Sequence, residues 1–254
     1  MLLKITQHCS MGCTHCMNNA TPNGKHMTEE TLRAALKFLI DNNCYHSVIV
    51  SGGEPTEHPD FLNFMNIIID TLNFTSYPHF ITITTNGFWC LEHMEEAKSV
   101  VRDTEYCKVV WQVSTDNRYY PKELPIHKKL WREPGFTLCT DCVEAMYPQG
   151  RAVDNHYDWN CKASKCFNVR AIAKQIPNPT VESIVKMLLN KRKFCTPAIQ
   201  YDGTIKLGES DLCPACASIY DSSEEIVNKI KQFKCHGCDH INDNLPLMCE
   251  LPRS

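Results

Sequence analysis

The segment CSMGCTHC, from Cys9 to Cys16, carries three thiols in eight residues. Their spacing is C-x3-C-x2-C, and they follow directly on the apolar run Leu2-Leu3-Lys4-Ile5-Thr6. Thiolates are ligands for soft metals and for iron–sulfur clusters. Three on one loop suffice for three irons of a 4Fe–4S cube and leave the fourth iron open to an exogenous ligand. A structural zinc ion asks for four protein ligands, so a zinc reading of this loop has to recruit His8 or His15.

Composition narrows the setting. The chain has 254 residues and a formal net charge of −3, which argues against a nucleic-acid surface built on bulk positive charge. No apolar run reaches the length of a membrane span, and the N-terminus lacks the zones of a signal peptide. A cytoplasmic protein is expected. Sixteen cysteines in a reducing compartment point to metal or catalysis in place of disulfides. Cys44, Cys90 and Cys107 stand alone in apolar or helical context and read as small buried hydrophobes.

The elements that must hold the thiol loop alternate between strand and helix. Leu2 to Thr6 reads as a buried strand. Thr28 with Glu29 and Glu30 reads as an N-cap, followed by Leu32, Leu36, Leu39 and Ile40 at helical spacing. Ser47 to Ser51 is a β-branched run, Asp60 to Leu72 a second helix, and Phe80 to Thr84 a third strand. Leu91 to Val101 reads as a third helix and Lys108 to Ser114 as a fourth strand. This rhythm predicts parallel β-α units. It weakens after Asp116, with a short helical piece before Gly135 and a further strand within Gly135 to Ala152. Later come a helix from Val181 to Leu189 capped by Thr180, a hairpin over Ala198 to Leu207 turning on Asp202-Gly203, and a capping box at Ser222 to Glu225. A domain boundary is expected near Asn155, dividing a β-α part (1–155) from a cysteine-rich part (156–254).

In a parallel β/α barrel the loops leaving the C-terminal strand ends share one mouth. That rule brings together the thiol loop, the Ser51-Gly52-Gly53-Glu54-Pro55 turn, the Thr84-Thr85-Asn86-Gly87 strand end and Ser114-Thr115-Asp116. With these features in hand, the first 150 residues or so resemble the radical S-adenosylmethionine superfamily. The likeness rests on Cys9-x3-Cys13-x2-Cys16, on Gly52-Gly53-Glu54-Pro55, on Ser114-x-Asp116 and on Gly150-Arg151-Ala152. It implies an α/β fold, a partial (β/α)6 TIM-like barrel. It also implies that Cys9, Cys13 and Cys16 bind a 4Fe–4S cluster and that S-adenosylmethionine chelates the open iron. Gly52, Gly53 and Glu54 would hold the cofactor's amino group, Ser114 and Asp116 its ribose, and Arg151 its carboxylate. His15 stands where the family usually has an aromatic residue, and its imidazole would pack on the adenine edge. A reductively formed 5′-deoxyadenosyl radical would then take a hydrogen atom from substrate.

The C-terminal half carries more thiols. Cys195-x12-Gly208-x4-Cys213 resembles the opening of the twitch and SPASM appendages of that superfamily, in a small α+β region. An auxiliary 4Fe–4S cluster on Cys195, Cys213, Cys235 and Cys238 is expected. Cys213-x2-Cys216, eighteen residues, then Cys235-x2-Cys238 also fits a zinc ribbon. Cys139, Cys142, Cys161 and Cys166 could form another four-cysteine site, zinc or cluster. The resemblance implies a reductant protein such as flavodoxin or ferredoxin, and a peptide or protein side chain as substrate. A small-molecule or nucleotide substrate is the alternative, since no segment precedes the first strand to serve as a leader-peptide-binding domain. A non-enzymatic zinc-bearing binding protein, with nucleic acid or another partner, is the reading from a different class.

Overall fold

The computed structural model describes residues 1–75, 77–115, 120–124, 130–139, 150–155, 176–190, 196–208 and 213–233. The first half runs β1 (Leu2–Thr6), α1 (Glu29–Asp41), β2 (Ser47–Gly52), α2 (Phe61–Asn73), β3 (His79–Thr85), α3 (Phe88–Glu92), α4 (Met94–Ser99), β4 (Arg102–Asp103), β5 (Cys107–Val113) and β6 (Phe136–Leu138). Then follow α5 (Arg151–Asp154), α6 (Val181–Asn190), β7 (Ala198–Ile199), β8 (Thr204–Lys206), β9 (Ala215–Ser218) and α7 (Ser223–Gln232).

Among the described residues one sheet joins the strands, in the order β4-β5-β3-β2-β1-β7-β8-β9, with β6 also paired to β5. The pairs β1/β2, β2/β3, β3/β5, β5/β6 and β1/β7 are parallel. The pairs β4/β5, β7/β8 and β8/β9 are antiparallel. The central strand β1 is buried along its whole length, as parallel strands covered on both faces must be.

Period-2 alternation sorts the strand residues into two sets. Leu3, Ile5, Val48, Val50, Ile81, Ile83, Val109, Trp111 and Val113 pack with the helices in one apolar core. Against them α1 lays Leu32, Ala35, Leu36 and Leu39, and α2 lays Phe61, Phe64, Met65, Ile68 and Leu72. Thr28 caps α1, its hydroxyl accepting from the Thr31 N–H at 3.2 Å, with Glu29 and Glu30 in the first turn favoured by the helix dipole. The alternate residues Leu2, Lys4, Ile49, Ser51, Thr82, Thr84, Val110 and Gln112 face away from the helices. In this α/β, partial TIM-like barrel architecture, that face is the lumen.

Most element boundaries match the sequence reading, and a few differ. The helix expected over Leu91 to Val101 is two short helices, because His93 leaves helical geometry (φ −123°, ψ 50°) between α3 and α4. Its ring instead stacks on Trp89 at 5.0 Å. Of the strand expected within Gly135 to Ala152, the described part is Phe136–Leu138, and Arg151–Asp154 is helical. The two-residue β4 and the edge strand β9 carry too little pattern to read from sequence. Later elements match: Gly203 turns the β7/β8 hairpin at φ 82°, and Ser222 with Glu225 forms the capping box of α7. The boundary placed near Asn155 adjoins residues 156–175, outside the described set, and β7 beyond it pairs with β1. No helix among the described residues is long and apolar enough to cross a membrane.

Candidate active site

The thiol loop leaves β1 and is fastened at its beginning, middle and end. The Cys9 N–H donates to the Thr21 carbonyl at 3.0 Å. Ser10 donates through both its N–H and its hydroxyl to the Glu57 carboxylate, each at 2.8 Å, and His8 Nε2 lies 3.1 Å from the same carboxylate. Further along, Arg151 Nε donates to the Cys13 carbonyl at 2.8 Å and its terminal nitrogen to the Ala20 carbonyl at 2.7 Å. The Arg151 backbone N–H donates to the Cys16 carbonyl at 3.0 Å, and Asn155 Nδ2 donates to the Thr14 carbonyl at 2.8 Å. The helix α5 therefore serves as a clamp on the loop, set down beside it by Gly150. A Cβ on that glycine would lie 2.2 Å from the Cys16 carbonyl oxygen.

Burial pushes the Cys9 and Cys13 thiols up to about 12; the Glu57 and Glu54 carboxylates and the Cys16 thiol add to the rise at Cys9, and the Cys16 and Cys9 thiols to that at Cys13. A metal or cluster seated here displaces protons from buried thiols, as thiolate ligation requires. Cys13 is buried and Cys9 and Cys16 are half-buried. The donor set of three sulfurs on one braced loop suits a cluster held one thiolate to each iron. His15, between Cys13 and Cys16, sets its ring edge-on to Tyr120 at 5.0 Å.

The glycine turn after β2 is built against this loop. The Gly53 N–H donates to the Thr6 carbonyl at 2.8 Å and the Glu54 N–H to the His8 carbonyl at 2.9 Å. A Cβ on Gly53 would stand 2.0 Å from the His8 carbonyl oxygen, so only glycine allows the approach. Asn18 Nδ2 donates to the Gly52 carbonyl at 2.6 Å, and Lys4 Nζ donates to Asn18 Oδ1. Glu54 is 4% exposed. Its carboxylate accepts from the hydroxyls of Thr56 and Thr85, each at 2.8 Å, and from the Asn86 N–H at 2.8 Å. Burial raises its pKa, against the pull of those donors. The side chain of Glu54 thus ties the turn to the end of β3.

Ser114 follows β5, its N–H donating to the Thr85 carbonyl at 2.9 Å, which sets it at the same strand ends. Thr115 donates to the Cys139 carbonyl at 3.0 Å, placing Cys139 there as well. Asp116 lies outside the described residues. So do Cys195, Cys235 and Cys238 of the expected auxiliary site, and Cys142, Cys161 and Cys166 of the other group. Cys213 is buried and Cys216 half-buried, on or just before β9. Cys44, Cys90 and Cys107 are buried in the apolar core. A cleft lined by Arg33, Leu36, Lys37, Ile40, Asp41 and Thr71 lies on the outer helices and shares no residue with the site. Asn18 and Asn155, which brace the loop and the turn, carry no spacing signal in the sequence.

Comparison with known proteins bears on this geometry. The model of the radical SAM superfamily matches residues 3–131, just over half of the 254-residue chain. Comparison with curated proteins gave no match. Among solved structures, BtrN in complex with AdoMet and 2-DOIA aligns at a TM-score of 0.55 and 12% identity, covering 91% of this chain and 83% of that one. SuiB of Streptococcus suis aligns at 0.53 and 13%, covering 98% and 76%. The structure of anSMEcpe with bound AdoMet and the Cp18Cys peptide aligns at 0.51 and 14%, covering 91% and 81%. At these identities the solved structures establish likeness of fold. A triplet of thiols on a braced loop, a glycine turn pressed against it, and a family match spanning β1 to Trp131 make the chain a member of the radical SAM superfamily and an S-adenosylmethionine-dependent enzyme.

Proposed function

We propose that this enzyme cleaves S-adenosylmethionine reductively and uses the 5′-deoxyadenosyl radical to abstract a hydrogen atom from a peptide or protein side chain. The observation that carries the reading is the thiol loop, whose backbone is tied to Arg151, Asn155, Glu57 and the Gly53 turn. Cys9, Cys13 and Cys16 would hold the 4Fe–4S cluster, which when bound supplies the electron that breaks the sulfonium carbon bond. The residues of the chain do the positioning. Gly52 and Gly53 shape the cradle for the amino group, with Glu54 locking that turn to β3. Ser114 and Asp116 would take the ribose, His15 would pack toward the adenine, and Arg151, which holds the loop through the Cys13 and Ala20 carbonyls, would pair with the carboxylate.

The segment 156–254 is assigned to an auxiliary region of the twitch/SPASM type, with a further 4Fe–4S cluster on Cys195, Cys213, Cys235 and Cys238. Zinc on the paired CxxC units is the competing occupant, with Cys216, Cys139, Cys142, Cys161 and Cys166 as the remaining thiols. A flavodoxin or ferredoxin would deliver the electron in the cytoplasm. The neighbour solved with a bound peptide supports the peptide reading. The neighbour solved with 2-DOIA supports the second reading, a small-molecule substrate.

The test is anaerobic purification with reconstitution, iron and sulfide analysis, and measurement of 5′-deoxyadenosine after reduction. The expected result is at least four irons per chain and deoxyadenosine formation that falls to background in the Cys9→Ala, Cys13→Ala, Cys16→Ala variant. Stoichiometric zinc with no deoxyadenosine would sink the proposal.

A further inference from the structure

One level of the sheet turns two glutamines into the lumen. Leu3, Val50, Ile83, Trp111 and Ile199 stand in register across β1, β2, β3, β5 and β7, and all five belong to the apolar core. Alternation sends the next residue of each strand to the opposite face: Lys4, Ser51, Thr84, Gln112 and Gln200. Thr84 donates to Ser51 Oγ at 3.0 Å and pairs with Gln112 of β5. Gln200 follows β7 directly, its N–H donating to the Thr204 carbonyl at 2.8 Å as the hairpin continues. In the sheet order β5 and β7 flank β3, β2 and β1, so the curvature of the barrel turns Gln112 and Gln200 toward each other. Gly52 and Ser114, assigned above to the cofactor, lie one and two residues closer to the mouth than Ser51 and Gln112.

Gln200 lacks a partner that its burial demands. It is 6% exposed, and its Nε2 is buried with no hydrogen-bond partner. Such a donor bears the full cost of its desolvation, and native structures seldom leave one so without a reason. Gln112 is half-buried, which leaves its amide within reach of a molecule in the lumen. The charge at this level is already engaged: Lys4 donates to Asn18 Oδ1 and has further contacts of its own. None of the five residues is an acid. The level therefore offers a molecule in the lumen neutral amides and hydroxyls. A peptide group is the complement of a glutamine amide, with a carbonyl that accepts and an N–H that donates, and its hydrogen bonds gain strength in a low-dielectric pocket.

We infer that Gln200 and Gln112 seat the substrate, and that the group they take is a neutral amide of the kind found in a peptide backbone. Gln200 Nε2 donates to a substrate carbonyl, and Gln112 bonds the adjoining amide from the opposite wall. The inference rests on the functional reading above, which puts S-adenosylmethionine at the mouth, and deepens it by naming the residues that select the substrate.

The test is NMR titration of the reconstituted full chain, in the presence of S-adenosylmethionine, with three small probes. N-acetylglycinamide carries two neutral amides, N-acetylglycine replaces one of them by a carboxylate, and myo-inositol offers neutral hydroxyls alone. The diamide should bind at least fivefold more tightly than either of the others. Gln200→Leu should weaken it at least fivefold and erase the preference, and Gln112→Leu should weaken it at least twofold. Thermal melts separate binding from structure. Leucine removes an unpaired buried donor, so Gln200→Leu should melt at or above the temperature of the unmutated protein. Absent or equal binding of the three probes overturns the inference, and so does a preference for the acid or for inositol. A diamide preference that survives Gln200→Leu overturns it too. A lower melting temperature in Gln200→Leu, or failure of that variant to fold, also overturns it and makes the amide a structural partner. Failure of the functional reading is seen separately, as absence of deoxyadenosine from the unmutated protein whatever the probes show.

Discussion

Arg151 directs its guanidinium to the carbonyls of Cys13 and Ala20, and its backbone N–H to that of Cys16. One residue thus spans the whole thiol loop. Charge-assisted hydrogen bonds of this kind are worth about 1–3 kcal/mol in net stability, and the half-exposed position of Arg151 argues for the lower part of that range. Arg151→Met should lower unfolding free energy by about 1–2 kcal/mol and at least halve the iron retained per chain. Arg151→Lys should recover only part of this, since an ammonium cannot bridge two carbonyls with a planar fork. Denaturant titration and iron analysis check both. The cysteines and Gly52-Gly53-Glu54 are legible in sequence because their spacing is local. Asn18 and Asn155 are not, because their partners Gly52 and Thr14 lie 34 and 141 residues away. Glu54 was expected at the amino group of the cofactor. Its buried carboxylate is bonded to Thr56, Thr85 and Asn86, a set of partners that no local pattern announces.

Between elements, His58 joins the entries of two helices. Its Nε2 lies 2.9 Å from the Met27 carbonyl, just ahead of the α1 cap. Its Nδ1 accepts from the N–H of Asp60, the residue that opens α2, at 3.0 Å. Both bonds are made at once by the neutral ring with its proton on Nε2. Protonation would turn Nδ1 into a donor facing a donor. Burial lowers the His58 pKa, and burial together with the nearby His58 and His8 rings lowers that of His26. The sign follows: below the unfolded value of about 6.5, the unfolded chain binds protons that the folded chain refuses, so stability falls as pH drops. The melting temperature should decline from pH 7 to pH 5, and His58→Gln should flatten that slope while lowering the plateau. Calorimetric melts across that range decide it, and an unchanged slope in the variant would remove His58 as the cause. Elements with long, clean periods (β1, α1, α2 and the capped α7) are readable in sequence. The break at His93 is not, since a helical pattern runs through Leu91 to Val101, whereas His93 leaves helical geometry with its ring stacked on Trp89.

For the whole molecule, the parallel core was legible because strand and helix signals alternate from Leu2 to Ser114. The addition of β7 to the free edge of β1 was not, because a two-residue strand has no pattern of its own and its register depends on the partner. That pairing brings the C-terminal hairpin to the same strand that launches the thiol loop, so the two halves of the sequence meet at β1. The central claim is a three-thiolate cluster with one iron left for S-adenosylmethionine. Electron paramagnetic resonance of the dithionite-reduced protein, recorded with and without S-adenosylmethionine, tests it most directly. The reduced-cluster signal should shift on adding the cofactor, and this sensitive component should be lost in the Cys9→Ala, Cys13→Ala, Cys16→Ala variant. A spectrum indifferent to the cofactor, or one whose sensitive component persists without the three thiols, would contradict it.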